Sequence, residues 1–281
     1  MALGAECTAL QPAMHLQHHV ERYVYVDMRW PHALKPLSPR PESGIAFNLD
    51  CCEHLFISYA GGRVTAHPAV IVCGPLSHRI ADIRSTGRYR AFIVLFKATG
   101  YFRLFGIPPM ELADRVSDAR DVIGPAITSV HEQLSSAKTL AAMADVVDRY
   151  LLTRLTVGNL HPVHRIAERL VSSGGHANLR RLAESSGLST RQVERKFFEQ
   201  IGITAKRYAR LTRFRNAARL KVQDQALSWT DVSQATGYYD HTHLVKDFRE
   251  LVRATPSEYL RSLAVAPATE LWCNVEHRAE R

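Results

Sequence analysis

Residues 179–259 repeat one pattern, and that repeat leaves few folds open to the chain. A short apolar-periodic segment ends in glycine. A polar capping residue follows, then a second short segment ending in Phe, then Thr-x-x-x-Tyr. The first copy places these at Gly187, Ser189, Phe197, Thr204 and Tyr208. The second places them at Gly237, Asp240, Phe248, Thr255 and Tyr259, with one extra residue between its glycine and its Phe.

Each copy predicts a helix-turn-helix. In the first, Leu179, Leu182, Ala183 and Ser186 share one helical face. Gly187 supplies the positive φ that ends a helix. Ser189 can cap the next helix, with Gln192 completing a capping box. Val193 and Phe197 then point to the core, leaving Thr190, Arg191, Glu194 and Arg195 outward. In the second copy Val232 and Ala235 precede Gly237, and Asp240 caps. Leu244 and Phe248 form the buried pair, with His241, Thr242, Val245 and Lys246 outward. Thr255-Pro256-Ser257-Glu258 is a further helix start.

Residues 204–222 join the copies without a breaker and carry Lys206, Arg207, Arg210, Arg213, Arg215, Arg219 and Lys221. A helix there spans roughly 25–30 Å at about 1.5 Å per residue. One major-groove face repeats every ~34 Å. A stiff connector of that length suits two reading helices set in neighbouring groove segments.

Charge is partitioned accordingly. Residues 161–262 hold 18 Lys+Arg against 10 Asp+Glu, nearly all of the chain's net +9. A basic domain implies a polyanionic partner, here double-stranded DNA. No apolar run approaches the ~20 residues of a membrane span. The first residues lack the pattern of a secretory signal. Five cysteines form no dense framework, which fits a reducing cytoplasm.

The tandem pattern resembles the DNA-binding domain of the AraC/XylS family of bacterial transcription regulators, over residues 162–261. Ala205 stands where that family's first unit usually has Pro, and Arg253 where the second usually has Gly. The resemblance implies a sequence-specific, effector-responsive transcription factor, an activator working through RNA polymerase, with repression also open. It implies base reading by Arg191, Glu194 and Arg195 in one unit and His241, Thr242 and Lys246 in the other. Arg195 leads, because Arg forks onto guanine O6 and N7. Thr190, Lys196, Arg213, His243 and Arg249 complete the expected DNA-facing set. Gly187, Val193, Phe197, Gly237, Leu244 and Phe248 are expected as turn and core.

The front half predicts β structure. Strand-like runs cover residues 23–30, 45–49, 55–59, 64–67, 70–73, 78–84 and 90–96. Gly61-Gly62 and Ser85-Thr86-Gly87 read as turns, and Pro31, Pro36, Pro39 and Pro41 mark residues 31–44 as a loop. Residues 1–19 show no clear period. Helical stripes follow at Ile127, Val130 and Leu134, then at Leu140, Met143, Val147, Tyr150 and Leu151, a helical hairpin that also suits a dimer contact. Cys73-Gly74-Pro75, residues 90–97 and residues 106–114 resemble the sensor half of one branch of AraC-like regulators. There the usual Pro-Gly-Gly is Ala98-Thr99-Gly100. This implies a cupin-like β domain.

The expected fold is therefore α+β in two domains. Residues 1–155 form a cupin-like sensing or dimerisation domain with the helical hairpin, and 156–161 a linker. Residues 162–262 form an all-α domain with units at 179–200 and 229–251, and 263–281 a tail. A metal or thiol sensor at Cys51, Cys52, His54, His67, Cys73 and His78 is a competing reading, disfavoured by the lack of paired-cysteine spacing. The cluster His15, His18 and His19 reads as a polar terminus. Two more functions compete with a regulator: an architectural DNA binder without a ligand, and a zinc-thiol methyl acceptor of the DNA-alkylation response. No nucleotide or hydrolase motif occurs. No cofactor, no metal and no enzymatic activity are expected.

Overall fold

The computed structural model describes residues 6–50, 55–59, 62–155 and 161–264. Its front half is an antiparallel sheet of β1 (Glu6–Leu10), β2 (Val20–Pro36), β3 (Gly44–Asn48), β4 (Phe56–Tyr59), β5 (Val64–Ala66), β6 (Val70–Cys73), β7 (Ala81–Phe96) and β8 (Val116–Asp118). β7 is the spine. It pairs with β2 along its length, with β4 through its first half and with β3 through its second.

Side chains alternate across a strand, so one strand serves two cores. Phe92, Val94 and Phe96 face Tyr23, Ile45 and Phe47 on the side covered by helices. Ala91, Ile93 and Leu95 face the other side with Val24, Val26 and Ile71. Ile57 and Ile83, from the other half of the sheet, join that second core. The sheet therefore curls on itself, the small antiparallel β domain that the strand spacing implied.

Three expectations are corrected. The runs at 78–84 and 90–96 are one strand, not two around a turn. β2 is long enough to pair on both sides of Gly87, which sits opposite Trp30 at φ +89°. β2 also continues past Pro31 to Pro36. The pairing shifts register between Trp30 and Ala33, which spares Pro31 the ladder bond it cannot donate. Residues 6–10 form β1 on β2, and Leu16, fully buried in a 3-10 turn, anchors the stretch after it.

α1 (Gly100–Phe105) and a 3-10 turn (Pro109–Leu112) lie between β7 and β8, and α2 (Ala119–Ile123), α3 (Ala126–Ser136) and α4 (Leu140–Leu152) follow β8. α3 and α4 are the expected hairpin, burying Ile127, Val130 and Leu134 against Met143, Val147 and Leu151. The back half is all helical: α5 (Pro162–Ser172), α6 (Leu179–Ser185), α7 (Thr190–Ile201), α8 (Ala205–Gln223), α9 (Trp229–Ala235), α10 (His241–Val252) and α11 (Pro256–Ala264). Its core is separate and includes Val193, Phe197, Leu244 and Phe248. Most of the expected linker and tail lies outside the described residues.

Candidate nucleic-acid interface

The two units are built by the same local chemistry. Gly187 and Gly237 both take left-handed φ, +68° and +64°. After each, the same two backbone bonds close the turn: Gly187 N to Glu184 O and Leu188 N to Ala183 O, then Gly237 N to Gln234 O and Tyr238 N to Ser233 O. Ser189 caps α7 by accepting from Gln192 N at 3.2 Å, and Gln192 accepts from Ser189 N at 2.8 Å. Asp240 caps α10 by accepting from His243 N at 2.7 Å. The closing Tyr of each unit packs on its own Phe: Phe197 on Tyr208 and Phe248 on Tyr259, with ring centroids 5.7 Å apart in both. That contact is why the pattern Phe…Tyr recurs.

With Val193, Phe197, Leu244 and Phe248 buried, the opposite faces reach solvent. Thr190, Arg191 and Arg195 are exposed on α7, and His241, Thr242, His243, Lys246 and Arg249 on α10. The His243 ring stands edge-on to buried Tyr238 at 5.4 Å. Lys196 is half-buried and paired with Glu199 at 2.9 Å.

Glu194, expected as a base reader, is half-buried and has a partner within the protein. Its carboxylate accepts from Ala205 N at 2.8 Å, at the start of α8. Proline there would offer no N–H. Ala205 does, and Glu194 satisfies it, while Thr204 caps Arg207 N at 3.2 Å. The departure at Ala205 is thus the sequence signal for this contact of Glu194.

The connector carries its charge in contacts of its own. α8 is the expected unbroken helix, but most of its cations are engaged within the protein. Arg210 pairs with buried Asp247 at 2.8 Å and with Glu250, holding the Glu250 carboxyl below the usual range. Arg213, expected at a phosphate, donates to Gly175 O at 2.7 Å and so clasps the turn after α5. Lys221 donates to Gln225 O at 2.6 Å. Arg207 donates to Ser77 O and Oγ at 3.1 Å, and Arg215 pairs with Glu42, both in the β domain. Charge that clasps neighbouring elements could not be told from phosphate-binding charge in the sequence.

The β domain docks on the C-terminal ends of both reading helices. Gly202 ends α7 at φ +92° directly against the 3-10 turn, where an added Cβ would lie 2.7 Å from Pro109 C. Arg79 N donates to Leu251 O of α10 at 2.7 Å. Tyr259 Oη donates to Ser38 Oγ at 2.9 Å, and Thr99 Oγ1 lies 2.9 Å from His164 Nδ1. The N-terminal turns of α7 and α10 stay open.

Among the described residues no group of three His, Cys, Asp or Glu is arranged for a metal ion. Cys51, Cys52 and His54 lie outside those residues. Burial pushes the Cys7 thiol up to about 11 and raises that of Cys73 as well. His67 packs on Asn48 and Pro68, with Asn48 Nδ2 2.8 Å from its Nδ1. No helix among the described residues is long and apolar enough to cross a membrane.

Two capped reading helices with open first turns, carried on one connector, define a helix-turn-helix DNA-binding protein. Residues 182–262 match a family described as a helix-turn-helix domain, and residues 8–118 match a domain of unknown function, DUF6597. No curated relative matches the chain. Among solved structures it is similar to ToxT from Vibrio cholerae O395, at 7% identity over 92% of this chain and 97% of that one, with a TM-score of 0.47. It is similar to the same protein bound to (E)-4-(8-methylnaphthalen-1-yl)but-3-enoic acid, at 8% identity over 94% and 100%, TM-score 0.49. It is similar also to the AraC-like transcriptional activator CuxR, at 18% identity over 79% and 81%, TM-score 0.25. The C-terminal domain is an AraC-type helix-turn-helix domain, and the chain is a DNA-binding transcription regulator.

Proposed function

We propose that the protein reads one asymmetric DNA site with two unlike faces. Thr190, Arg191 and Arg195 of α7 read one segment. His241, Thr242 and Lys246 of α10 read another, about one helical turn away. The observation that carries this is the exposure of both first turns beside fully buried Phe197 and Phe248. Lys206 and Arg249, also exposed, supply phosphate contacts.

The β domain is the part through which an effector acts. Docked on the C-terminal ends of α7 and α10, it is placed to alter how the two readers sit. A cleft of about 770 Å³ between the β domain and the helices α5 and α8, lined in part by Glu21, Lys97, Glu168 and Arg219, offers a small molecule a place between the domains. RNA polymerase is the expected protein partner, and the exposed side of the α3–α4 hairpin suits a second copy of the chain.

Selection of bound duplexes from random sequence, with the full chain and Arg195→Ala, tests the reading. Arg195→Ala should relax preference in one segment and cost roughly 1–3 kcal/mol on the selected duplex. Lys246→Ala should act in the other segment. If both variants weaken every sequence alike, the protein is a general DNA binder.

A further inference from the structure

The extra residue of the second unit can now be identified. The paired turn bonds make Leu188 and Tyr238 equivalent: each donates its N–H to the carbonyl five residues back and packs inward. In the first unit the next residue, Ser189, is already the cap. In the second the cap is Asp240, so Tyr239 is the insertion. Its side chain is 93% exposed, the most exposed of the large apolar side chains among the described residues. Tyr238 beside it is 4% exposed, so the turn presents one tyrosine and buries the other.

A ring held in water at that position has no role in the fold. Its place is the mouth of α10, one residue before the cap and two before His241, where a reading helix meets the major groove. The neighbouring Asp240 carboxylate opposes a phosphate at this point. An apolar base edge carries no such conflict, and in the major groove that edge is the thymine 5-methyl group. We propose that Tyr239 is a specificity-determining DNA contact whose ring packs on the 5-methyl of a thymine beside the bases faced by His241 and Thr242. This rests on the reading of α7 and α10 as base readers.

The test uses the full chain and its selected duplex, with uracil replacing thymine one position at a time. One such replacement in the segment read by the second unit should weaken the parent roughly fourfold, the size of one buried methyl. Tyr239→Ala should bind roughly tenfold more weakly than the parent, at unchanged thermal stability, and be indifferent to that uracil. Tyr239→Phe should behave as the parent. The proposal is overturned if Tyr239→Ala binds as the parent does or keeps the same sensitivity to uracil. It is overturned equally if Tyr239→Phe falls with Tyr239→Ala, which would assign the contact to the hydroxyl. Arg195→Ala separates the two levels: if it still shifts base preference while Tyr239→Ala does nothing, only Tyr239 loses its role.

Discussion

Replacing Gly202 by Ala asks two questions with one methyl group. Gly202 closes α7 at φ +92°, a conformation that costs an L-residue roughly 1–2 kcal/mol. Its added Cβ would also lie 2.7 Å from Pro109 C, 2.8 Å from Pro109 O and 2.9 Å from Met110 N. All three are backbone atoms, so no rotamer relieves the overlap and the β domain must move away from α7. Gly187 isolates the first effect, since it takes φ +68° with nothing within 4 Å of an added Cβ. Gly187→Ala should therefore cost about 1–2 kcal/mol and leave the domains docked. Gly202→Ala should cost that amount and, in addition, loosen the docking, with loss of neighbouring contacts such as the Arg79–Leu251 bond. Calorimetry on the full chain reads the stability of each variant. Small-angle scattering reads the separation of the domains as a larger radius of gyration. Equal stability losses and equal radii for the two variants would show that the Gly202–Pro109 contact is not made in solution.

Two further outcomes follow from single residues. Arg253 ends α10 at φ +57° and ψ +31° with its side chain exposed, so Arg253→Gly should stabilise the domain by about 0.5–1 kcal/mol, read as a raised Tm. Acid should act at the domain boundary. Burial first, then Arg103, His164, His18 and Lys97, holds the His19 imidazole down to about 4, and burial also lowers His164, against the pull of Glu168 and with Lys97 and His18 adding to the effect. Both are neutral when folded, while the unfolded chain takes up protons near 6.5, so stability is full above that pH and is lost as it falls from about 6.5 towards 4. Tm measured across that window should drop for the parent and drop less steeply for His19→Gln.

Much of the reading apparatus was legible because its determinants are local. A capping box, a glycine with positive φ and an i, i+4 apolar pair are fixed by residues a few positions apart, and all three recur at Ser189, Gly187 and Val193–Phe197. The β domain was legible only in part, because strand length depends on a partner far along the chain. Nothing near Ser85 or Gly87 says that β2 will pair on both sides of them, or that Pro31 will fall where the register slips. Partners of surface charge were the least legible. Glu194 and Arg213 sit at outward positions of their helices, yet one meets Ala205 N and the other Gly175 O, contacts set by tertiary packing. The replacement of Pro by Ala205 was the one local hint, and it acquires meaning only once α8 is seen to begin there.

That division of the charge bears on regulation. Arg207 and Arg215 are held by Ser77 and Glu42 of the β domain, whereas Arg191, Arg195, Lys206, Lys246 and Arg249 stand exposed to solvent. A phosphate that recruits Arg207 or Arg215 competes with their partners in the β domain. Each phosphate neutralised adds about 0.9 to the salt slope of binding, so the slope counts how many cations have been recruited. Docking of the β domain and engagement of these two arginines by DNA then oppose each other, and linkage requires that DNA binding weakens docking by the same factor by which docking weakens DNA binding. A ligand that favours the docked arrangement thus lowers DNA affinity without touching a reading residue, and one that favours separation raises it. Regulation through the β domain needs no change in α7 or α10 themselves, only a change in which anions the connector faces.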